Sequence, residues 1–287
     1  MSKTILITGA ATGFGRDTAE TLATAGHRVF ASMRDVRGRN AAKAAELAAQ
    51  GITVIELDVA DDASVAAGVA AVLAQAGRID VLINNAGLAS AGVSEAFTAD
   101  QAKILFNTNV VGVIRTTKAV LPAMRAASDG LIINIGSILG RVTFPFFGIY
   151  GATKFALEAL TDSYRYELSQ LGVDVALVQP SAYPTNMYEA IQQPADTARA
   201  EAYGEIGALP GKMFESFMGM FQGENAPNPH DVAAAIVTLI DTPKGSRPAR
   251  VVVGQSFGAD AINDAIAPVQ HGAVEALGLG ALATIAL

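Results

Sequence analysis

The chain has 287 residues, 51% of them hydrophobic and 16% charged, with a formal net charge of −7. That length suits one large domain with a substantial core, and the acidic balance excludes a nucleic-acid backbone as partner, since Arg34, Arg37 and Arg39 are the nearest approach to a basic patch. With no cysteine there is no disulfide, thiolate nucleophile or thiolate metal site, and His27, His230 and His271 are too scattered to form a metal site.

Residues 1–3 lead straight into an apolar run without the long apolar stretch and cleavage site of a secretory signal, so a cytoplasmic location is expected. Strand-like runs follow at 4–8, 28–33, 53–57, 81–84, 131–135, 174–178 and 250–253. Alanine-rich helical stretches lie between them at 15–25, 41–50, 63–76, 99–124, 150–171 and 231–239. This alternation predicts an α/β fold: a single doubly wound Rossmann domain over 1–287 with a seven-stranded parallel sheet covered on both faces. The alternation fails once, over 185–229, where Met187, Tyr188, Ile191, Tyr203, Ile206, Met213, Phe214, Phe217, Met218, Met220 and Phe221 are too apolar for a solvated loop. A helical substrate lid is expected there, and its thioether and aromatic side chains suit a bulky apolar ligand. The same side chains serve equally to pack the segment down or to meet another subunit. The tail, 255–287, ends in an apolar stretch from 276 that is too short to span a bilayer, so it is expected to dock on the fold or on a partner.

The first strand runs into Gly9-Ala10-Ala11-Thr12-Gly13-Phe14-Gly15 and then a helix. A strand, a glycine turn and a helix in that order form a dinucleotide-binding turn. Glycine lets the backbone bend sharply and approach a pyrophosphate, whose charge is favoured by the free N–H groups at the helix start. The fifth strand delivers Ser137 to its carboxyl end, the edge where open α/β sheets bind ligands. Tyr150 and Lys154 follow, four apart on one helix face, where side chains are neighbours. A tyrosine has an ordinary pKa near ~10, and an adjacent cation favours its phenolate. Lowering that value by about 3 units takes roughly 4 kcal/mol, which the Lys154 ammonium together with a nicotinamide cation is expected to supply.

Taken together, Thr8-Gly9-x-x-x-Gly13-x-Gly15, Asp58-Val59, Asn84-Asn85-Ala86-Gly87, Asn109, Ser137, Tyr150-x-x-x-Lys154, Pro180 and Thr185 resemble the short-chain dehydrogenase/reductase family. The resemblance implies that Tyr150 is the general acid/base, that Ser137 holds the substrate oxygen, and that Lys154 lowers the Tyr150 pKa and binds the nicotinamide ribose. It also implies that Asn109 bends its helix and positions a proton-relaying water. For the cofactor it implies Gly9, Thr12, Gly13, Phe14 and Gly15 at the diphosphate, Asp58 and Val59 at the adenine, and Asn85, Ala86 and Gly87 along the adenosine side or in support of the sheet. Tyr150, Lys154, Pro180, Tyr183 and Thr185 complete the nicotinamide end, while Asn84 reads as structural. The chain departs from the family pattern at Pro180-Ser181-Ala182-Tyr183-Pro184, where a glycine usually follows the first proline. The stretch from Phe30 to Asp35 together with the apolar lid is similar to the hydroxysteroid and retinol dehydrogenase-like branch.

Coenzyme choice is read at the end of the second strand. Met33 stands where NAD-dependent relatives carry an acid, Arg34 follows it, and Ser32 can add a hydroxyl, so NADP(H) is favoured over NAD(H). Asp35 would reverse this preference if the strand ran two residues further. The resulting expectation is hydride transfer between NADP(H) and an apolar or bulky ketone or secondary alcohol, without a metal. An NAD-dependent dehydrogenase of a polar alcohol or sugar and a non-catalytic dinucleotide-binding regulator are the alternatives. Family members commonly pair through the helices corresponding to 99–124 and 150–171, implying a homodimer or homotetramer.

Overall fold

The computed structural model describes residues 2–223 and 226–287. Seven parallel strands form one sheet: β1 (Thr4–Ile7), β2 (Arg28–Met33), β3 (Thr53–Glu56), β4 (Val81–Asn84), β5 (Gly130–Ile135), β6 (Val173–Pro180) and β7 (Arg250–Val253). Between and after them come α1 (Gly13–Thr24), α2 (Ala41–Ala49), α3 (Asp62–Ala76), α4 (Ala99–Phe106), α5 (Gly112–Ala127), α6 (Gly148–Ser169), α7 (Thr197–Ala202), α8 (Glu205–Met220), α9 (His230–Asp241) and α10 (Ala259–Ala276).

Strand side chains alternate between two apolar layers, which is why the strands read as unbroken hydrophobic runs. Ile5, Ile7, Val29, Val81, Ile83 and Ile133 pack on one face with Leu22 of α1 and Ile236 of α9. Leu6, Phe30, Leu82, Ile132 and Val175 pack on the other with Val69 of α3 and Val120 of α5. Strand order is β3-β2-β1-β4-β5-β6-β7, so the chain reverses direction across the sheet between β1 and β4 and leaves a crevice at their carboxyl ends.

The long helical stretch at 99–124 carries a bend at Asn109, a π-turn over Asn107–Val111, where the Asn109 side chain bonds groups outside the helix. Two expectations need correction. The tail contains a full helix, α10, that its isolated apolar end did not suggest. Beyond it the chain folds back on the end of α6, with Gln170 Nε2 donating to the carbonyls of Ala281 and Thr284 at 2.8 Å and Ala286 N donating to Ser169 O at 2.8 Å. Finally, the 185–229 segment is helical only in part. It begins as a run of turns, crosses to the β4–α4 connection through a parallel bridge between Ser90 and Gln192, and then forms α7 and α8. No helix among the described residues is long and apolar enough to cross a membrane.

Two polar networks are buried where α6 meets the sheet. Asn84 Nδ2 donates to Asn134 Oδ1 at 2.9 Å, Thr116 Oγ1 donates to Asn84 Oδ1 at 2.7 Å, and Asn134 Nδ2 donates to Thr161 Oγ1 at 2.9 Å, so each amide is satisfied. In the second, the Glu158 carboxylate of α6 receives Arg141 at 3.0 Å, Arg250 at 2.8 Å and Gln179 at 2.5 Å. Arg141 also donates to Asn263 of α10 at 2.9 Å, which ties the tail helix to the same cluster. Removing one member of a buried ion cluster leaves its partners uncompensated. Glu158→Ala is therefore expected to lower the unfolding free energy by about 3–5 kcal/mol, read from the urea midpoint. A midpoint equal to that of the parent would contradict this role.

Candidate active site

The β1–α1 turn closes against the loop after β4. Gly9 has φ +69°, and a Cβ there would come within 2.7 Å of the Ala86 Cα, so both handedness and space require glycine. Thr8 Oγ1 accepts from the backbone N–H groups of Asn85 and Ala86, each at 3.0 Å. The Asn85 amide in turn donates to the carbonyls of Thr8 at 2.9 Å and Gly9 at 3.1 Å. Asn85 thus clamps the turn, and Gly15 lies beneath it, where a Cβ would strike the same amide.

A groove runs over this turn and across the sheet edge. Gly9, Thr12, Gly13, Phe14, Arg34, Asp58, Val59, Asn85, Ala86, Gly87 and Thr185 all line it, while Gly15 does not. Thr12 precedes α1, and its side chain does not cap the helix, so the first N–H groups remain available to an anion. The groove fits a dinucleotide: it offers a glycine cradle, a helix start and a basic end. Arg34 lies 3.7 Å from Asp58, and Arg39, Asn40 and Lys43 join it on the wall. The reading from sequence missed these last three, although Arg39 belongs to the one basic stretch visible there.

At this end the expected Ser32 contact is corrected, and the condition under which Asp35 would reverse the preference is not met. Ser32 is fully buried with its hydroxyl unpartnered, and it does not line the groove. Asp35 adopts φ +51° and folds its carboxylate into its own turn, accepting from Arg39 N at 2.9 Å, because β2 ends at Met33. It does not line the groove either.

A second cavity adjoins the groove and shares Phe14, Asn85, Gly87 and Thr185 with it. Ser137, Tyr150, Lys154, Pro180 and Tyr183 line this chamber, which places Pro180 and Tyr183 away from the adenosine side. Its remaining wall is mainly apolar and includes Ile138, Leu139, Phe144, Phe147, Met187, Ile191, Phe217 and Phe257. The reading from sequence did not single out Phe144, Phe147 and Phe257. The first two sit in a visible aromatic run, whereas Phe257 is brought in by the unanticipated β7–α10 turn.

Ser137 opens the short helical turn Ile138–Gly140, its Oγ accepting from Leu139 N at 3.1 Å. Lys154 Nζ donates to the Ile135 carbonyl at 2.9 Å and lies 5.6 Å from the Tyr150 ring centre. Asn109 accepts from Leu88 N at 2.8 Å and donates to Leu88 O at 2.8 Å and to Thr153 Oγ1 at 3.0 Å. Its side chain therefore fixes α6 to the loop after β4, and the π-turn is the local bend. Ser137, Tyr150 and Lys154 are each less than a tenth exposed.

That burial reverses the expected electrostatics. Desolvation pushes the Tyr150 phenol up to about 12, and the nearby Ser137 hydroxyl only partly opposes it. Desolvation likewise lowers Lys154 to about 8, against the favourable charge of Glu158 one turn along α6. The ammonium does not by itself acidify the phenol.

An amine with a folded value of about 8, below its ordinary 10.5, holds its proton more weakly in the folded chain than in the unfolded one. Between those values the unfolded chain binds more protons, so stability rises with pH across that window and is lowest below it. Relative to Lys154→Met, the unfolding free energy of the parent is expected to rise between about pH 8 and 10 by up to about 1.4 kcal/mol per pH unit. Parallel curves in denaturant titrations over that range would contradict the burial effect.

Residues 3–196 match the family model described as short chain dehydrogenase. The chain is similar to the 3-ketodihydrosphingosine reductase of Bacteroides thetaiotaomicron, at 35% identity over 82% of each chain. It is 33% identical to human (Homo sapiens) retinol dehydrogenase 8 over 84% of this chain and 78% of that one. A crystal structure of a short-chain dehydrogenase from Streptomyces avermitilis superposes with a TM-score of 0.78 at 31% identity, covering 98% of both chains. The chain belongs to the short-chain dehydrogenase/reductase family and is an NAD(P)-dependent oxidoreductase acting on CH–OH groups.

Proposed function

We infer that the chain interconverts an apolar ketone and its secondary alcohol with NADP(H). The observation carrying this reading is the junction of the two cavities: Ser137, Tyr150 and Lys154 face an apolar chamber that opens into the glycine-lined groove at Phe14, Asn85, Gly87 and Thr185. The nicotinamide, when bound, supplies or accepts the hydride. Ser137 and Tyr150 hold the substrate oxygen, and in reduction Tyr150 delivers the proton that oxygen needs. Lys154 sits one helical turn from Tyr150, where it binds the ribose side of the cofactor and adds positive charge to the phenol's surroundings. Asn109 fixes the position of α6, and the 185–229 segment covers the chamber as a lid through Met187, Ile191 and Phe217. The two relatives bear the names of a ketone reductase and an alcohol dehydrogenase, in keeping with this direction of chemistry.

The basic end of the groove supports NADP(H). Arg34, Arg39 and Lys43 gather where the adenosine ribose would lie, while Asp35, the residue that would favour NAD(H), is folded into its turn. Self-association through α4, α5 and α6 accompanies the reading, because Ile104, Ile114 and Phe155 are exposed along those helices.

Tyr150→Phe is expected to lower kcat in a carbonyl-reduction assay by about 10²–10⁴-fold while leaving coenzyme binding intact. Retention of most of the turnover would contradict the assignment of Tyr150 and favour a different acid. Arg34→Ala is expected to weaken NADPH binding by about ten- to a hundredfold, as the loss of a charged hydrogen bond implies, and to leave NADH binding within about twofold. Equal weakening of both coenzymes in a fluorescence titration would overturn the NADP(H) preference.

A further inference from the structure

The chamber meets the cofactor groove at Phe14, Asn85, Gly87 and Thr185, and its catalytic groups are buried. Among the described residues that line it, Phe257 alone is exposed, at 42%. The wall residues Ile138, Leu139, Phe147 and Tyr150 are each 8% exposed or less, so a view into the chamber accounts for little of that value. The Phe257 ring therefore has the chamber on one side and the outside on the other. A recess on the outer side, lined also by Met220, Gly254 and Gln255, shares Ser181, Ala182 and Phe257 with the chamber.

This ring is held in place. It packs edge-on against Phe144, with 5.3 Å between ring centres and 84° between ring planes. Phe144 comes from the loop ahead of α6 and Phe257 from the β7–α10 turn, and neither lines the groove. Rings in edge-to-face contact at that distance leave no passage between them. Phe257 also adopts φ +49°, in the left-handed region that bulky side chains rarely occupy. Ser256 fixes the turn, its hydroxyl accepting from Gly258 N at 3.3 Å and its carbonyl from Ala259 N at 3.0 Å. Backbone strain of this kind persists only where the surroundings hold it, and it gathers at positions that contact ligands.

We propose that Phe257, braced by Phe144, is a specificity-determining residue that closes the chamber away from the cofactor groove and sets the longest hydrocarbon chain a ketone substrate can carry. This rests on the ketone-reductase reading above. With the carbonyl at Ser137 and Tyr150 and the nicotinamide on the groove side, the rest of the substrate runs along the apolar wall towards the two phenylalanines. A chain that ends at the pair buries its full length. A longer one must break the contact between the rings or leave its carbonyl short of Tyr150, and the second outcome spoils the reactive geometry.

The test measures kcat/KM for methyl ketones bearing straight chains from butyl to tetradecyl, with NADPH or NADH, whichever supports turnover, in the parent, in Phe257→Gly and in Phe144→Ala. Glycine accepts the left-handed backbone, so Phe257→Gly removes the ring without disturbing the turn. Phe144→Ala opens the same wall from the other loop, and circular dichroism reports whether each variant keeps the parent's fold. The parent is expected to accept chains up to one length and to lose activity sharply beyond it. Phe257→Gly is expected to raise the ratio of kcat/KM for the longest ketone to that for the parent's best by about ten- to a hundredfold, mainly through KM, and Phe144→Ala to move it in the same direction. A parent that takes the longest chains as readily as shorter ones overturns the proposal and leaves the ketone-reductase reading in place. So does a ratio within about twofold of the parent's in a variant that keeps the fold. Turnover of no ketone by the parent, with either coenzyme, removes that reading and the proposal with it.

Discussion

Placing a lysine and a tyrosine one helical turn apart inside the protein costs solvation free energy, and the architecture around α6 is organised to hold them there. The Lys154 amine reaches a single carbonyl, that of Ile135 at the end of β5. Behind it, Glu158 adds a compensating negative charge and is itself held by Arg141, Arg250 and Gln179. In front, Asn109 fixes the first turns of α6 through Thr153, at the expense of a regular helix between α4 and α5. Ser137 arrives from β5, the strand that also supplies the amine's acceptor. The geometry of the three polar groups is therefore set by the sheet edge and by two buried networks rather than by the helix alone. Such rigid support is what positions an acid/base group against a carbonyl to within the tolerance that catalysis needs.

Charge is distributed to match. The chain carries a net charge of −7, yet Arg34, Arg39 and Lys43 stand together on the wall of the groove over the β1–α1 turn. A local positive end on an acidic protein favours a compact anion at that place over polyanions in general. The catalytic chamber is the reverse, with a few polar groups surrounded by aromatic and aliphatic side chains. In such low-dielectric surroundings each hydrogen bond to a ligand counts for more, and each unmet donor costs more. The two environments meet at Thr185, which lines both.

Much of this was legible in the sequence because the chemistry is encoded by short local patterns. Apolar runs separated by helical stretches predicted all seven strands, and burial on both faces explains why those runs were unbroken. The glycine turn, Asn85, Asp58 and the Ser137, Tyr150, Lys154 set lie at strand ends, where sheet topology gathers them without further information. What escaped depended on tertiary placement. The bend at Asn109 was implied by the family resemblance, but its partners Leu88 and Thr153 were not. Phe257, just ahead of α10, reaches the chamber from the far end of the chain. The direction of the Asp35 carboxylate is set by a left-handed backbone at that residue. Nor does the spacing of Tyr150 and Lys154 disclose that burial outweighs the cation, since desolvation depends on everything packed around the pair.

This leaves the phenol's electrostatics as the central point. On the present account the buried pair is poised, and the positive charge of an oxidised nicotinamide beside it, added to that of Lys154, brings the phenol into the working range. The direct measurement is a pH titration of Tyr150, selectively ¹³C-labelled at Cζ, by NMR with and without saturating NADP⁺. The account predicts a value of about 12 for the protein alone, falling below the ordinary 10 when NADP⁺ is bound. A Tyr150 value that stays near 12 in the presence of the coenzyme would contradict it.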